Sequence, residues 1–392
     1  MSDEFTVPLP LLRRYLMFHG WQPAKQAVST LDAFGAKSFA NAFFQGRSGG
    51  QRNVDLYVLS GPGLNDVELV VPQTVASNES VRRLEGAIDT LSQLEGRDRG
   101  EVVADIRSIG FDVVKSRIPD ELVFDDTIHL DQAVNYTAGI KKLLAASATT
   151  EMVPDVYFLR VKKEANVYAE QCRFGHTFKG SFGFTVESPI APNTAPTLPG
   201  VGQMPPFERR VIQRLAQGII IIQNAVSAAD PAVVIAGFHS GFSANMCEEF
   251  ATLIEQTAPS GMTFAFAFSP EWPTPEVGDL SVGPQHVEMS RIAAKTMREQ
   301  PTSTPLEVSG RVVRLQNEAD PTDLLDETHE REIVVHWKSE DYGDMHVKLF
   351  LAPDAYLIAV DAHMHGRSIR VKGRLEKRGR RWVLLEPTDF SV

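Results

Sequence analysis

The alternation of apolar and polar residues is most regular over the last part of the chain, residues 306–392. Ile369 and Val371 alternate there with Arg370 and Lys372, which is the period of a half-buried strand. Pro353 opens a stretch that reads as a helix, because proline is favoured in a first helical turn. We therefore predict five strands, at 306–315, 331–337, 346–351, 368–375 and 382–387, and one helix at 353–363.

Upstream of this region, apolar residues recur mostly three or four positions apart, the spacing of amphipathic helices. Val81, Leu84, Ile88, Leu91 and Leu94 form one such series, and Ser77 or Asn78 is a candidate N-cap for it. The predicted helices are 9–19, 77–94, 100–109, 130–148, 163–172, 205–228, 243–257 and 288–300. The predicted strands are 54–59, 67–71, 111–114, 177–190 and 262–268. This mixture indicates the α+β class.

The length of 392 residues exceeds what one ordinary hydrophobic core supports, so several domains are expected. The stretch Pro301-Thr-Ser-Thr-Pro305 is the clearest boundary, because proline and small polar residues mark linkers. We predict an α+β N-terminal domain at 1–155 and an α+β middle domain at 156–300, with a proline-rich loop at 191–206. A small five-stranded β-barrel at 306–392 completes the multidomain chain.

The predicted C-terminal module resembles proteins of the OB fold in the order of its strands and helix. Gly310 and Gly373 stand where a small barrel often needs glycine in order to close, and the segment ends in GRSIRVKGRLEKRGRRWVLLEPTDF. The resemblance implies a five-stranded Greek-key barrel of a type that often binds oligonucleotides or oligosaccharides. No family is indicated for the rest of the chain.

The distribution of charge distinguishes one segment of the predicted barrel, residues 367–381, from the rest of the chain. The whole chain has a net charge of −11, yet eight basic residues and only Glu376 as an acidic one lie between Arg367 and Arg381. A basic patch on an acidic body attracts polyanions only where the patch faces them. The predicted nucleic-acid-binding residues are Arg370, Lys372, Arg374, Lys377, Arg378, Arg380 and Arg381, with Trp382 as a stacking platform.

Two other interpretations of the basic hairpin stay open: it contacts a protein or another anionic ligand, or it is a solvated turn that blunts a sheet edge. The acidic loop 318–332 counts against nucleic acid, because carboxylates there would repel phosphates. That loop would instead mimic nucleic acid, guard the hairpin, pair with a basic partner, or simply form solvated surface.

A second candidate site lies in the middle of the chain, where glycines alternate with polar residues. Arg173, His176, Lys179 and Ser181 would surround an anion if the glycines let backbone N–H groups approach it. The spacing is not that of a P-loop. A turn before a β-strand is the simpler interpretation of the same residues.

Candidates for catalysis and metal binding are weaker. His363 and His365 lie at a predicted helix end, where side chains two residues apart diverge, so packing is expected rather than a metal site. Ser243 reads as an N-cap and Cys247 as a core residue, since no histidine partner is assignable. Neither a metal nor a cofactor is predicted.

The hypothesis favoured by these patterns is a cytoplasmic nucleic-acid-binding subunit of a bacterial nucleic-acid-processing or defence assembly, with protein partners and no membrane contact. The cytoplasm is expected because the two cysteines form no framework, the acidic start differs from a signal peptide, and the longest apolar run is short. One alternative is an enzyme acting on a nucleotide or phosphorylated substrate in the middle domain. Another is a protein–protein scaffold. No complete set of catalytic residues is recognisable in the sequence, which favours a binding protein over an enzyme. The sequence does not predict the oligomeric state.

Overall fold

A computed structural model describes residues 7–24, 54–61, 64–125, 127–175, 182–192, 204–300, 305–316, 331–339, 342–379 and 381–392. The chain divides into two compact units. Unit 1 comprises Met1–Asp112, Pro189–Gln203 and Phe268–Pro275, and unit 2 comprises Val113–Ser188, Met204–Ala267 and Glu276–Val392. Both units are therefore built from segments that are distant in sequence.

The described residues of unit 1 pack three helices with a three-stranded antiparallel sheet around one apolar core. The helices are α1 (Leu9–Phe18), α2 (Asn78–Glu95) and α3 (Arg99–Ser108), and the strands are β1 (Gln22–Pro23), β2 (Val54–Gly61) and β3 (Leu64–Pro72). The predicted apolar stripe of α2 is confirmed at Leu84, Ile88 and Leu91, which are buried, whereas Leu94 at the end of the helix is exposed. Ser77 caps this helix by accepting a hydrogen bond from the backbone N–H of Ser80.

A buried ion pair joins the three segments of unit 1. Arg14 on α1 donates to the Glu271 carboxylate at 2.7 Å and to the backbone carbonyl of Ile190 at 2.9 Å. Both charged side chains are largely shielded from solvent, so each depends on the other for its charge to be tolerated. Arg14 therefore connects the three sequence segments that make up unit 1.

The helical part of unit 2 contains α4 (Leu130–Met152), α5 (Lys163–Gln171), α6 (Phe207–Ala228), α7 (Ala232–Ala236), α8 (Ala244–Thr257) and α9 (Pro284–Arg298). A five-stranded sheet accompanies it, in the order β5-β6-β4-β7-β8. Its strands are β4 (Phe111–Arg117), β5 (Arg173–Gly175), β6 (Gly183–Pro189), β7 (Met262–Ala267) and β8 (Leu280–Val282). The short elements α7 and β8 were not predicted from sequence.

Two predicted boundaries in this part need correction. Helix α9 begins at Pro284 instead of residue 288, because proline suits the first turn and the Gly283 N–H donates to His286 Nδ1 at 3.0 Å. Helix α4 continues to Met152, beyond the predicted end at residue 148. Of the predicted strand 177–190, the described part forms β6, and residues 176–181 lie outside the described ranges.

The C-terminal residues form a closed five-stranded barrel, as predicted, with the strand order β10-β11-β13-β12-β9. Its elements are β9 (Leu306–Gln316), β10 (Arg331–Ser339), β11 (Gly343–Leu351), α10 (Pro353–Met364), β12 (Ser368–Arg378) and β13 (Arg381–Ser391). Strands β11 and β13 pair in parallel, and the other pairs are antiparallel. This architecture is compatible with an OB-like fold. An α+β body followed by a barrel is thus confirmed.

Close backbone approach explains the two barrel glycines. A Cβ atom on Gly310 would lie 2.1 Å from the carbonyl oxygen of His336, and one on Gly373 would lie 2.5 Å from that of Leu385. No side chain fits these gaps unless the strands move apart, so glycine is required at both positions. The alternating apolar residues, such as Val308, fill the barrel core.

None of the helices in the described ranges combines the length and the apolar character needed to cross a membrane.

Candidate nucleic-acid interface

The predicted basic segment forms the antiparallel hairpin of β12 and β13, which we call the basic hairpin (Ser368–Ser391). Arg378 pairs with Arg381 at its tip, and Gly379 there has a left-handed φ of 62°. Glycine adopts this conformation without strain, which makes the tight connection between the strands favourable. Arg370, Lys372 and Arg374 alternate with buried residues along β12, as the period-two pattern predicts.

Three of the seven predicted cations of the hairpin form ion pairs within the hairpin. The pairs are Lys372 with Asp389 at 2.9 Å, Arg374 with Glu386 at 2.5 Å and Arg378 with Glu376 at 2.5 Å. The hydrogen bond to Asp389 raises the pKa of Lys372, so this ammonium stays charged. These carboxylates lower the net positive charge of the surface below what a count of its basic residues indicates. Such exposed pairs are weak, and phosphate groups compete with them for the same donors.

Arg370 and Arg381 differ from these cations, because both are exposed and neither forms an ion pair within the described ranges. They keep their full set of guanidinium donors for an external anion. Arg380 lies outside the described residues. Arg370 and Arg381 are therefore the hairpin positions at which an added phosphate meets the least competition.

Trp382, the predicted stacking platform, is half-buried and has neighbours within unit 2. Its ring lies 6.5 Å from that of Tyr157, and the Lys377 ammonium lies 5.7 Å from the indole centroid. A cation over an aromatic face is attracted by the ring quadrupole, which holds Lys377 in place. Part of the indole is thus covered by the protein itself.

A cleft of about 540 Å³ lies beside the hairpin, and we call it the α9 cleft. Helix α9 supplies one wall, and the hairpin residues Lys377 and Gly379 supply the other. The lining residues are Glu248, Arg291, Ala294, Lys295, Arg298, Glu299, Lys377 and Gly379. Four of these eight side chains are basic, so the positive character of the hairpin continues onto the helical part of unit 2.

Two arginines of the α9 cleft are held in place by carboxylates. Arg298 donates from Nε and Nη2 to the two Glu248 oxygens at 3.0 and 2.7 Å. Arg291 donates from Nη2 to Glu255 at 2.6 Å and to the Thr252 hydroxyl at 3.1 Å. Two-point pairing of this kind orients a guanidinium as well as neutralising it.

Sequence reasoning missed the contribution of α9. Arg291, Lys295 and Arg298 follow one another at intervals of four and three residues, which places them on one face of a helix. That spacing is visible in the sequence and could have identified a basic face. Nothing local shows, however, that this face lies beside a hairpin some eighty residues later.

The outward face of β10 and β11 carries a second polar group that the sequence did not reveal. His336 and His346 are cross-strand partners whose rings stack 5.1 Å apart. His336 also bonds to Asp344, and this hydrogen bond holds the pKa of that carboxyl below its usual value. No group of His, Cys, Asp and Glu within the described ranges is arranged to hold a metal ion.

The acidic loop lies mostly outside the described residues, which resume at Arg331. Glu332, at its end, forms an ion pair with Lys348 at 2.6 Å. Of the predicted anion site, Arg173 is exposed on the short strand β5, while His176, Lys179 and Ser181 lie outside the described ranges. Because three of these four residues lie outside the described ranges, the anion site stays a prediction.

The remaining candidates for chemistry have structural roles in the described part of the chain. Ser243 caps α8 and shares a hydrogen bond of 2.8 Å with Thr150. Cys247 is fully buried, and burial raises its pKa far above the ordinary thiol value, which disfavours the reactive thiolate. His363 Nδ1 bonds to the carbonyl oxygen of Val312 at 2.6 Å, a packing contact of α10 against β9.

Comparison with known proteins adds no relative, since no family model, no curated protein and no solved structure matches this chain.

Proposed function

We propose that this protein is a nucleic-acid-binding subunit that engages a single strand through the basic hairpin. The observation that carries the proposal is the pair of exposed arginines, Arg370 and Arg381, on a barrel of OB-like architecture. Single-strand binders of this architecture combine a positively charged groove with aromatic contacts. The setting we propose is a cytoplasmic nucleic-acid-processing or defence assembly of bacteria, in which the other elements of the chain contact protein partners.

Electrostatics supports a selective contact instead of general adhesion to polyanions. The chain as a whole carries a net charge of −11, so a strand is repelled except where the hairpin faces it. Binding through phosphate contacts releases condensed counterions, and affinity then falls steeply with salt. For single strands the slope of log K against log salt is about −0.7 for each phosphate contact.

The test is fluorescence anisotropy with a labelled single-stranded oligonucleotide across a salt series, using the full chain. The variant Arg370→Glu with Arg381→Glu removes two cations that hold no ion pair in the described structure, so folding should be unaffected. We expect the magnitude of the salt slope to fall by about 1.4, two contacts' worth, with a clear loss of affinity.

A matched control carries the same change in charge away from the hairpin. Arg82→Glu with Lys142→Glu alters two exposed helical cations that form no ion pair within the described ranges, on α2 and α4. This control should keep nearly the wild-type affinity. Equal losses in both variants would show that overall charge, not the hairpin, governs binding, and undiminished binding by the hairpin variant would move the interface elsewhere.

The second candidate function is a contact with a protein partner, and the intrahairpin ion pairs favour it. Lys372 pairs with Asp389 and Arg374 pairs with Glu386, so this surface presents alternating charges of both signs. Mixed charges of this kind match a partner with complementary charges better than a uniform polyanion. An absence of any salt-dependent oligonucleotide binding would leave this candidate in place of the first.

A further inference from the structure

The α9 cleft is a concave site that the hairpin only borders. Its volume of about 540 Å³ falls within the range of pockets that hold small ligands, roughly 300–1,000 Å³. Its basic side chains come from α9 and from the hairpin, so they converge from two directions on the same space. A flat basic surface attracts anions diffusely, whereas convergent donors select a compact multivalent anion.

The ion pairs of the cleft divide its four cations into two kinds. Arg291 and Arg298 are held by glutamates, and they bring fixed N–H donors into the wall. Lys295 is exposed and forms no ion pair within the described ranges, while Lys377 rests on the Trp382 ring. Two ammonium groups that form no ion pair within the described ranges, beside two guanidinium groups held by carboxylates, suit an anion that accepts several hydrogen bonds at once.

The lining carboxylates decide how much positive charge is left. Glu248 is neutralised by Arg298 at 2.7 Å. Glu299 is exposed and forms no ion pair among the residues that the structure describes, so it opposes an anion in the cleft. With Glu248, Glu299 and the Glu255 partner of Arg291 all counted against the four cations, the cleft retains a small net positive charge. Removing the Glu299 charge should therefore strengthen anion binding, and removing that of Lys295 should weaken it.

We propose that the α9 cleft binds the phosphate group of a nucleotide, either at the end of a strand held by the hairpin or as a free nucleotide. The proposal deepens the proposed function and rests on it for the strand-bound source. Phosphate is favoured over a carboxylate-bearing peptide because its three oxygens match the clustered ammonium and guanidinium donors. The side of the cleft lined by Gly379 has no side chain, which leaves room beside the hairpin tip.

The experiment compares 5′-phosphorylated and 5′-hydroxyl oligonucleotides of one sequence, binding to the full chain by anisotropy at fixed salt. We expect the phosphorylated strand to bind about tenfold more tightly, the order expected for one charge-assisted contact. Lys295→Glu should abolish this preference, and Glu299→Gln should increase it. Lys142→Glu, an exposed lysine on another helix, is the matched control and should preserve it.

Calorimetric titration with AMP, ATP and inorganic phosphate separates the two sources. If AMP or ATP binds the wild type and fails to bind Lys295→Glu, the source is a free nucleotide, and the site stands even if oligonucleotide binding by the hairpin is absent. If the phosphorylated strand binds more tightly than the hydroxyl strand while AMP, ATP and inorganic phosphate do not bind, the source is a strand end. Equal binding of both strands together with no nucleotide binding overturns the proposal, as does displacement of bound nucleotide by a glutamate-rich peptide of the same charge.

Discussion

Replacing Gly310 by alanine should open the barrel. The added Cβ would stand 2.1 Å from the His336 carbonyl oxygen, while nonbonded atoms prefer about 3.5 Å. The obstacle is backbone, so β9 and β10 would have to separate by roughly 1.4 Å, because no rotamer change relieves the contact. Overpacked sites of this kind typically cost 1–3 kcal/mol, and we expect about 3 kcal/mol here.

Urea unfolding followed by fluorine NMR on protein labelled with 5-fluorotryptophan would measure this loss. Trp337 and Trp382 belong to the barrel, whereas Trp21 and Trp272 belong to unit 1, so the barrel transition is read separately. Gly278→Ala is the control in the same unit, because no described atom beyond its chain neighbours lies within 4 Å of its would-be Cβ. If the Gly310 variant unfolds within about 0.5 kcal/mol of this control, the close-approach reasoning is refuted.

Two further predictions concern buried groups. Glu151 forms ion pairs with Arg210 at 2.7 Å and with Arg214 at 2.8 Å. Glu151→Gln should therefore lower the free energy of unfolding, measured by urea melts, by about 3 kcal/mol. A loss below about 1 kcal/mol would contradict a buried pair. Burial raises the pKa of Cys172 to about 11, so Ellman's reagent should label it slowly at pH 8 and faster as pH rises, while Cys247 should react only after unfolding. Because unfolding returns both thiols to their ordinary, lower pKa, stability should fall as pH rises above that value.

The barrel could be predicted from sequence because its signals are local. Alternating residues such as Ile369 and Val371 mark a strand wherever the strand lies, and Gly310 marks a close approach without showing which strand approaches. The helices were predicted for the same reason, since α2 and α6 carry their apolar stripes and their starting residues in their own segments. The start of helix α9 was predicted four residues too late, because it depends on one hydrogen bond, from the Gly283 N–H to His286, instead of on a repeated pattern.

The charge state of the hairpin illustrates what local patterns miss. The fifth strand was predicted to end at residue 387, but β13 continues to Ser391 and brings the Asp389 carboxylate within 2.9 Å of the Lys372 ammonium. Counting basic residues in one segment therefore overstated its free charge. Two of the three carboxylates that reduce it, Glu386 and Asp389, belong to the neighbouring strand, and only the packing of the two strands shows which cation each one meets.

The amino-acid sequence by itself determined the secondary structure of the barrel, the class of the body and the place of the basic segment, because each follows from the properties of neighbouring residues. The tertiary structure alone decided that segments as distant as Arg14 and Glu271 share one core, and that Lys295 on α9 lines the same cleft as Lys377. Contacts between distant segments depend on how whole elements pack, and burial of their apolar faces sets that packing without leaving a mark in either segment alone.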